Sequence, residues 1–166
     1  MISIRDTLPS DIPVIRDLAE QTWWAYYPSI LSHAQLSYML NKIYPEEALR
    51  KAMLENSEEF ILLYDNLTPL GFASFGSQPA DTPIIKLHKL YIVPEKHRKG
   101  LGRMLVEEVK KRCVARGALH LDLNVNRFNQ AKYFYQKIGF RLIRLEDIPI
   151  GPFWMNDYVM RFDLKN

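Results

Sequence analysis

His97-Arg98-Lys99-Gly100-Leu101-Gly102 follows an apolar, strand-like run from Leu90 to Val93 and opens a helical pattern. Residues of these types at this spacing make an anion cradle. Glycines 100 and 102 let the backbone approach a ligand closely, and the free N–H groups of a first helical turn point at phosphate oxygens, helped by the helix dipole. A Gly-x-Gly pair also serves an ordinary turn, so the loop needs a second signal. Two phosphate-loop chemistries do not fit. A P-loop requires Lys-Ser or Lys-Thr directly after its last glycine, whereas Gly102 is followed by Arg103-Met104. A Rossmann fingerprint requires a third glycine and an acidic residue after the next strand, and neither is present.

The second signal is Asn129-Gln130-Ala131-Lys132-Tyr133-Phe134-Tyr135-Gln136-Lys137-Ile138-Gly139-Phe140, which follows the strand-like Leu119-His120-Leu121-Asp122-Leu123. Together with Leu90-Tyr91-Ile92-Val93-Pro94 and the glycine loop, it resembles the GNAT (Gcn5-related) N-acetyltransferase superfamily. The resemblance is close over about residues 86 to 142 and extends, through the order of strands and helices, over nearly the whole chain. It implies acetyl-CoA as cosubstrate, with pantetheine paired like an extra strand along Leu90, Tyr91, Ile92 and Val93. It also implies phosphates held by Arg98, Lys99, Gly100, Leu101, Gly102 and Arg103, with Asn124, Asn129, Ala131, Tyr135 and Lys137 completing the cofactor set. One position departs from the family pattern: His97 stands where Arg or Gln is usual, and Arg98 follows it. Because the loop's phosphate contacts are mainly backbone, binding is expected to survive. The segment Trp154-Met155-Asn156-Asp157-Tyr158-Val159-Met160 and the Lys-Leu-x-Lys-Leu-Tyr strand at 86 to 91 are similar to the PaiA-like group, some members of which acetylate polyamines.

Acetyl transfer from a thioester to an amine needs a neutral amine, a polarised carbonyl and a proton for the departing thiolate. The resemblance makes Tyr135 the proton donor. A phenol, with a reference pKa of about 10, is protonated at neutral pH. The spacing of Phe134, Tyr135 and Ile138 equally fits a core tyrosine. Asn129 is a helix N-cap, with or without a cofactor contact. In some relatives a glutamate eleven residues before the Arg/Gln position accepts the amine proton, and here that position is Lys86. His88, two residues on and on the same strand face, matches a histidine position of the arylalkylamine branch and is the candidate base. A structural histidine and a water chain without a single base are the alternatives. The acceptor site is expected between the first two helices and the late hairpin. There Trp23, Trp24 and Tyr27 frame a cation or form a core cluster, with Asp157 closing the cleft.

Length, composition and charge bound these expectations. A chain of 166 residues is one domain, residues 1 to 166, able to bury roughly two thirds of its unfolded surface. With 48% apolar residues it is an ordinary globular sequence, and no apolar run reaches the roughly 18 to 20 residues of a membrane span. Met1-Ile2-Ser3-Ile4-Arg5 has neither a basic n-region nor an apolar h-region, so a soluble, cytoplasmic protein is expected. Cys113 is the only cysteine; it follows Leu101, Leu105 and Val109 at four-residue intervals and reads as a core thiol, and no metal site is expected. Residues 86 to 116 hold ten Lys/Arg and three Asp/Glu, a local +7 in a chain of net +3, whereas residues 1 to 60 hold nine acids and five bases. The basic segment suits a polyanion such as CoA. Nucleic acid, the other polyanion, finds no zinc-finger spacing, RNP motif or basic repeat here. The expected function is transfer of acetyl to a primary amine, small amine or polyamine, in a ternary complex. The alternatives are a protein N-terminal or lysine acetyltransferase and a non-catalytic CoA-sensing regulatory module, and the chain is expected as a monomer or homodimer.

The elements that must position these groups are legible in part. Ile2 to Arg5 alternates like a strand. Ser10-Asp11-Ile12-Pro13 predicts a capped helix start running to about Trp24, with further helices over about 32 to 42 and 45 to 55. Phe60 to Tyr64 and Leu70 to Phe75 predict a hairpin turning at Asp65 to Pro69. Pro79, Asp81 and Pro83 mark a loop before a long strand over 84 to 93. The glycine loop, a helix, a strand over 119 to 124, a helix over 129 to 137 and strands near 140 to 145 and 157 to 163 complete the chain. The resulting order, β-α-α-β-β-β-α-β-α-β-β, is that of the resembled family. It implies an α/β (α+β) fold with a mixed, mainly antiparallel sheet of about seven strands flanked by helices on both faces.

Overall fold

The computed structural model describes residues 1–55, 58–77, 83–97 and 99–164. In chain order the elements are β1 (Ile2–Asp6), α1 (Ile12–Tyr26), α2 (His33–Ile43), α3 (Glu46–Leu54), β2 (Glu59–Asp65), β3 (Thr68–Ser77) and β4 (Ile84–Ile92). Then come α4 (Leu101–Ala115), β5 (His120–Asn126), α5 (Ala131–Lys137), β6 (Arg141–Ile150) and β7 (Phe153–Asp163). The strands form one seven-stranded sheet in the order β1-β2-β3-β4-β5-β7-β6. Every pairing is antiparallel except β4 with β5, which is parallel. Three helices separate β1 from β2, matching the three predicted helical stretches, although the β-α-α-β order counts only two of them. Among the described residues no helix is long and apolar enough to cross a membrane.

β2, with Phe60 to Tyr64 all buried, is covered on both faces, as a continuous apolar run requires. One face carries α1 to α3: Tyr44, just past α2, meets Phe72 edge-on, and Trp23 of α1 packs on Tyr91. The other carries α4 and α5, where Leu105, Val106, Val109 and Cys113 of α4 are buried. Burial pushes the Cys113 thiol up to about 11, which makes it an inert core group. The start of α1 differs from expectation. Asp11 does not cap it; the carboxylate instead accepts the Leu8 N–H at 2.8 Å and the Arg5 guanidinium at 3.0 Å. Ser32, by contrast, caps α2 by accepting the Gln35 N–H at 3.1 Å.

The late hairpin is longer than its sequence suggests. The sequence predicts strands near 140 to 145 and 157 to 163, yet β6 runs through Pro149 to Ile150 and β7 begins at Phe153. A proline is tolerated because β6 is an edge strand. This hairpin reaches across to α2, where Gln35 Nε2 donates to the Trp154 carbonyl at 2.8 Å and Tyr38 packs on Phe153. The helical and hairpin walls of a cleft are thereby tied together on the α1–α2 side of the sheet.

The central break in the sheet follows from two local devices. β4 and β5 pair only over Ile84 to Leu87 and His120 to Leu123, and beyond Leu87 the strands part. On the other side of β4, Ser74 faces Lys89 and Phe75 faces Leu87, so His88 is the extra residue of a β-bulge, which bends a strand and raises its twist. Gly71, opposite Ile92, allows β3 to lie close there. A Cβ at this position would sit 2.5 Å from the Tyr91 carbonyl oxygen and 2.6 Å from Ile92 Cδ1. Gly71→Ala is therefore expected to cost about 1–3 kcal/mol through overpacking. That should lower the thermal midpoint by about 2–4 °C per kcal/mol in a chain of this size; an unchanged midpoint would show that the two strands separate freely.

Candidate active site

The gap between β4 and β5 presents unpaired backbone. The Val93 N–H donates to the Leu70 carbonyl at 2.8 Å, and hydrogen bonding to a neighbour alternates along an antiparallel strand. Leu90 and Ile92 therefore turn their N–H and C=O groups away from β3 and into the gap, whereas the groups of Tyr91 and Val93 point back to β3. At the end of the gap Gly100 has φ +76°, a left-handed conformation, and starts α4, whose first intrahelical bond is Met104 N–H to the Gly100 carbonyl at 3.1 Å. The N–H groups of Leu101, Gly102 and Arg103 consequently have no acceptor within the helix. A Cβ on Gly102 would come no closer than 3.5 Å to Phe134. Packing within the chain thus does not require glycine there, and the bare backbone serves what lies outside it. An extended amide-bearing arm along the strand ending in phosphates at the helix terminus fits this arrangement.

Aromatic residues line the cleft side of the gap. Trp23 and Tyr27 lie four residues apart on one face of α1 and its end, with ring centroids 4.8 Å apart. The Tyr27 and Tyr91 hydroxyls are 3.5 Å apart. Electrostatically the Tyr27 phenol also senses Asn129, Asp157 and Tyr135. Burial pushes the phenols of Tyr27, Tyr91 and Tyr135 above the usual range. Tyr135 is 8% exposed, and Phe134 and Phe140 fix its ring edge-on at 5.2 and 5.6 Å. Asn129 is not itself the N-cap of α5, a position held by Gln130; its side chain stands one residue earlier and accepts the Ala131 N–H at 2.9 Å, which fixes the turn into the helix.

Asp157 is 7% exposed. Its carboxylate receives the Asn124 amide at 3.2 Å; the Arg127 Nε donates to the Asp157 backbone oxygen, not to the carboxylate. The same Asn124 amide reaches Glu146 at 3.3 Å. Burial raises the Asp157 carboxyl above the ordinary aspartate value, opposed by Asn124 and the Lys86 charge.

His88 is exposed at the bulge. Loss of hydration against the surrounding protein, assisted by Lys89 and Lys86 and opposed by Glu58, pushes its imidazole down to about 4. Beside it lies a nearly buried ion pair between Lys89 and Glu58, whose side chains are 12% and 14% exposed, with Ser74 Oγ donating to Glu58 at 2.5 Å. These three groups clamp β3 to β4 at the bulge.

The remaining expected site residues separate by position. Arg98 lies outside the described residues. Lys99 and Arg103 are exposed beside the helix terminus, and Leu101 is buried beneath it. Val93 does not offer its N–H to the gap, since β3 already takes it. The Asn124 side-chain amide donates to the carboxylates of Asp157 and Glu146. Lys137 is exposed in the last turn of α5, at the helix end opposite Asn129. Trp23, at 4% exposure, is a wall behind Tyr27 rather than a contact surface. Trp24, rotated by one residue on α1, turns outward: its Nε1 donates to Glu20 at 2.9 Å and its ring packs on His33. Tyr26 is a site residue that spacing did not single out. Its hydroxyl donates to the Ile92 carbonyl at 3.1 Å, and its ring stacks on His97 at 4.7 Å. The density of aromatic residues at 23 to 27 was the only sign of it. Among the described residues no group of three His, Cys, Asp or Glu side chains could hold a metal ion.

This geometry agrees with what the chain is similar to. Residues 29–148 match the acetyltransferase (GNAT) domain model. Over 77 residues the chain is 38% identical to an uncharacterised N-acetyltransferase of Mycobacterium tuberculosis, covering 46% of this chain; it spans about half (49%) of that relative's length. It is 25% identical to the spermidine N(1)-acetyltransferase of Thermoplasma acidophilum over 85% of this chain and 89% of that protein. The crystal structure of the PaiA N-acetyltransferase of T. acidophilum in complex with coenzyme A superimposes with a TM-score of 0.82 at 25% identity, covering 98% of this chain and 99% of that one. With its parted β4 and β5, glycine-started α4 and matching domain model, the chain belongs to the GNAT acetyltransferase family.

Proposed function

We propose that this protein is an acetyl-CoA-dependent N-acetyltransferase that moves an acetyl group directly to a primary amine, a small amine or a polyamine, within a ternary complex. The observation that carries this reading is the gap beyond Leu87 and Leu123, where the backbone of Leu90 and the Ile92 N–H, turned away from β3, lead to the unpaired N–H groups at the start of α4, the Ile92 carbonyl being taken by the Tyr26 hydroxyl. Acetyl-CoA supplies the activated acyl group. Leu90 and Ile92 would hold its arm, the N–H groups of residues 101 to 103 its phosphates, and Tyr135 would face the sulfur from α5.

A cationic acceptor is favoured by the cleft's own groups. Tyr27 and Tyr91 offer aromatic faces, while Asp157 and Glu146 supply negative charge. The similarity to a spermidine N(1)-acetyltransferase supports a polyamine in particular. The test is release of free CoA from acetyl-CoA with a panel of polyamines, arylalkylamines, amino acids, aminoglycosides and peptides. Turnover is expected with compact amines and polyamines. Binding of acetyl-CoA without turnover of any amine would leave a CoA-sensing module, and turnover of peptides alone would make it a protein acetyltransferase.

A further inference from the structure

We infer that Asp157 is the proton acceptor of the reaction: its carboxylate takes the proton of the incoming ammonium and releases the neutral amine towards the thioester. This rests on the amine acetyltransferase reading above and adds to it the residue that starts the chemistry.

The first support is burial without an ion pair. Buried carboxylates are ordinarily paired with a cation. Asp157 is 7% exposed, yet among the described residues it makes no salt bridge, and the neutral amide of Asn124 is the hydrogen bond to its side chain. The nearby cations are otherwise engaged or more distant. Arg127 binds Asp147 at 2.8 Å and the Asp157 backbone oxygen at 3.3 Å, and Lys86 acts only through its charge. A transient cation, the acceptor's own ammonium, completes such a site.

The second support is placement. Asp157 of β7 pairs with Asn126 at the end of β5, and α5, which carries Tyr135, begins five residues further along the chain; both side chains interact electrostatically with the Tyr27 phenol. One titratable group is held protonated above its usual range by burial, and the other is a carboxylate raised by burial towards neutrality. Such a divided pair assigns acid and base. The alternative base, His88, is exposed at the β4 bulge, whereas Asp157 is buried. The groups facing Asp157 are Asn124 from β5, Glu146 from β6, Lys86 from β4, Arg127 from the β5–α5 connection and Tyr27 from the end of α1.

The proton balance closes. R–NH3⁺ gives one proton to Asp157, and the nitrogen lone pair forms the C–N bond at the thioester carbonyl. The C–S bond breaks, the thiolate takes the Tyr135 hydroxyl proton, and the second ammonium proton returns to the Tyr135 phenolate. Asp157 then loses its proton to solvent, leaving amide, CoA thiol and one released proton.

The experiment measures kcat and KM for spermidine against pH in the wild type and in Asp157→Asn, with acetyl-CoA Kd and thermal midpoint on the same preparations. A base must be ionised, so wild-type kcat should fall as pH falls through a value above that of ordinary aspartate. Asp157→Asn should lower kcat at neutral pH at least about tenfold and abolish that acid limb, with acetyl-CoA affinity and midpoint retained. A rise in KM with unchanged kcat would make Asp157 an anchor and overturn its role as base, as would an acid limb persisting in the variant. If the variant does not fold, the wild-type profile decides: a kcat independent of pH through the acid range overturns the assignment. Failure of the wild type to acetylate any amine would remove the underlying reading and this one with it, whereas wild-type rates in Asp157→Asn remove Asp157 alone.

Discussion

Replacing Gly102 by glutamate is expected to leave the fold standing and to weaken acetyl-CoA binding at least about 100-fold, some 2.7 kcal/mol. The fold survives for two reasons. The nearest side-chain atom to a Cβ at this position is 3.5 Å away on Phe134, an ordinary contact. In addition, a carboxylate in the first turn of α4 is favoured by the helix dipole. Binding suffers because the same carboxylate stands where phosphate oxygens approach the N–H groups of Leu101, Gly102 and Arg103. Two like charges about 4 Å apart repel by about 4 kcal/mol at an effective dielectric of about 20, before screening by salt. Titration calorimetry with acetyl-CoA and a thermal melt on the same variant check both halves. Wild-type affinity in a folded variant would move the phosphates away from this helix. Gly100 is less suited to the test, since its φ of +76° strains any other residue and would confound stability with binding.

The contrast between these two glycines shows what a sequence discloses about such a site. Both were legible as a pair because a strand, a turn and a helix start leave local marks in residue type. The left-handed residue and the bare helical one then separate only when the backbone is known. Tyr135 was legible for the same reason: it sits in a helix whose preceding Asn129 turn and following Gly139-Phe140 are local signals. The bulge at His88 left no mark, because the extra residue is defined by its register against Ser74 and Phe75, more than ten positions away. The meeting of the Tyr27 and Tyr91 hydroxyls is likewise a product of packing, since it joins the end of α1 to β4, more than sixty positions away. Trp23 and Trp24, adjacent and identical in type, go to a buried wall and an outer flank by helical rotation alone. The missed extent of β6 and β7 has a similar cause, since the edge position of β6 that tolerates Pro149 is known only from the order of the sheet.

Tyr135→Phe should keep both the fold and the acetyl-CoA affinity while lowering kcat at least about tenfold, within the roughly 10²- to 10⁴-fold range of general acid help. Among the described residues the Tyr135 hydroxyl makes no hydrogen bond, and the ring is held by Phe134 and Phe140 through contacts that phenylalanine preserves. No buried partner is therefore orphaned, and stability should change by less than about 1 kcal/mol. This makes kcat the deciding quantity: a tyrosine serving only the core would also tolerate the change, but without loss of rate. A phenol held above its usual range is a weak acid towards a thiolate in water. In the cleft the departing sulfur is desolvated as well, which raises its own demand for a proton. The same burial sets the sign of the pH dependence. An acid must be protonated to act, so activity is lost as pH rises through its pKa, and the upward shift of Tyr135 places that loss above the ordinary phenol range. Wild-type kcat should accordingly hold steady from neutral into moderately alkaline solution, and the variant should run parallel to it at a lower level. An unchanged kcat in Tyr135→Phe, with acetyl-CoA bound as tightly as before, would assign the thiolate's proton to water or to Tyr27.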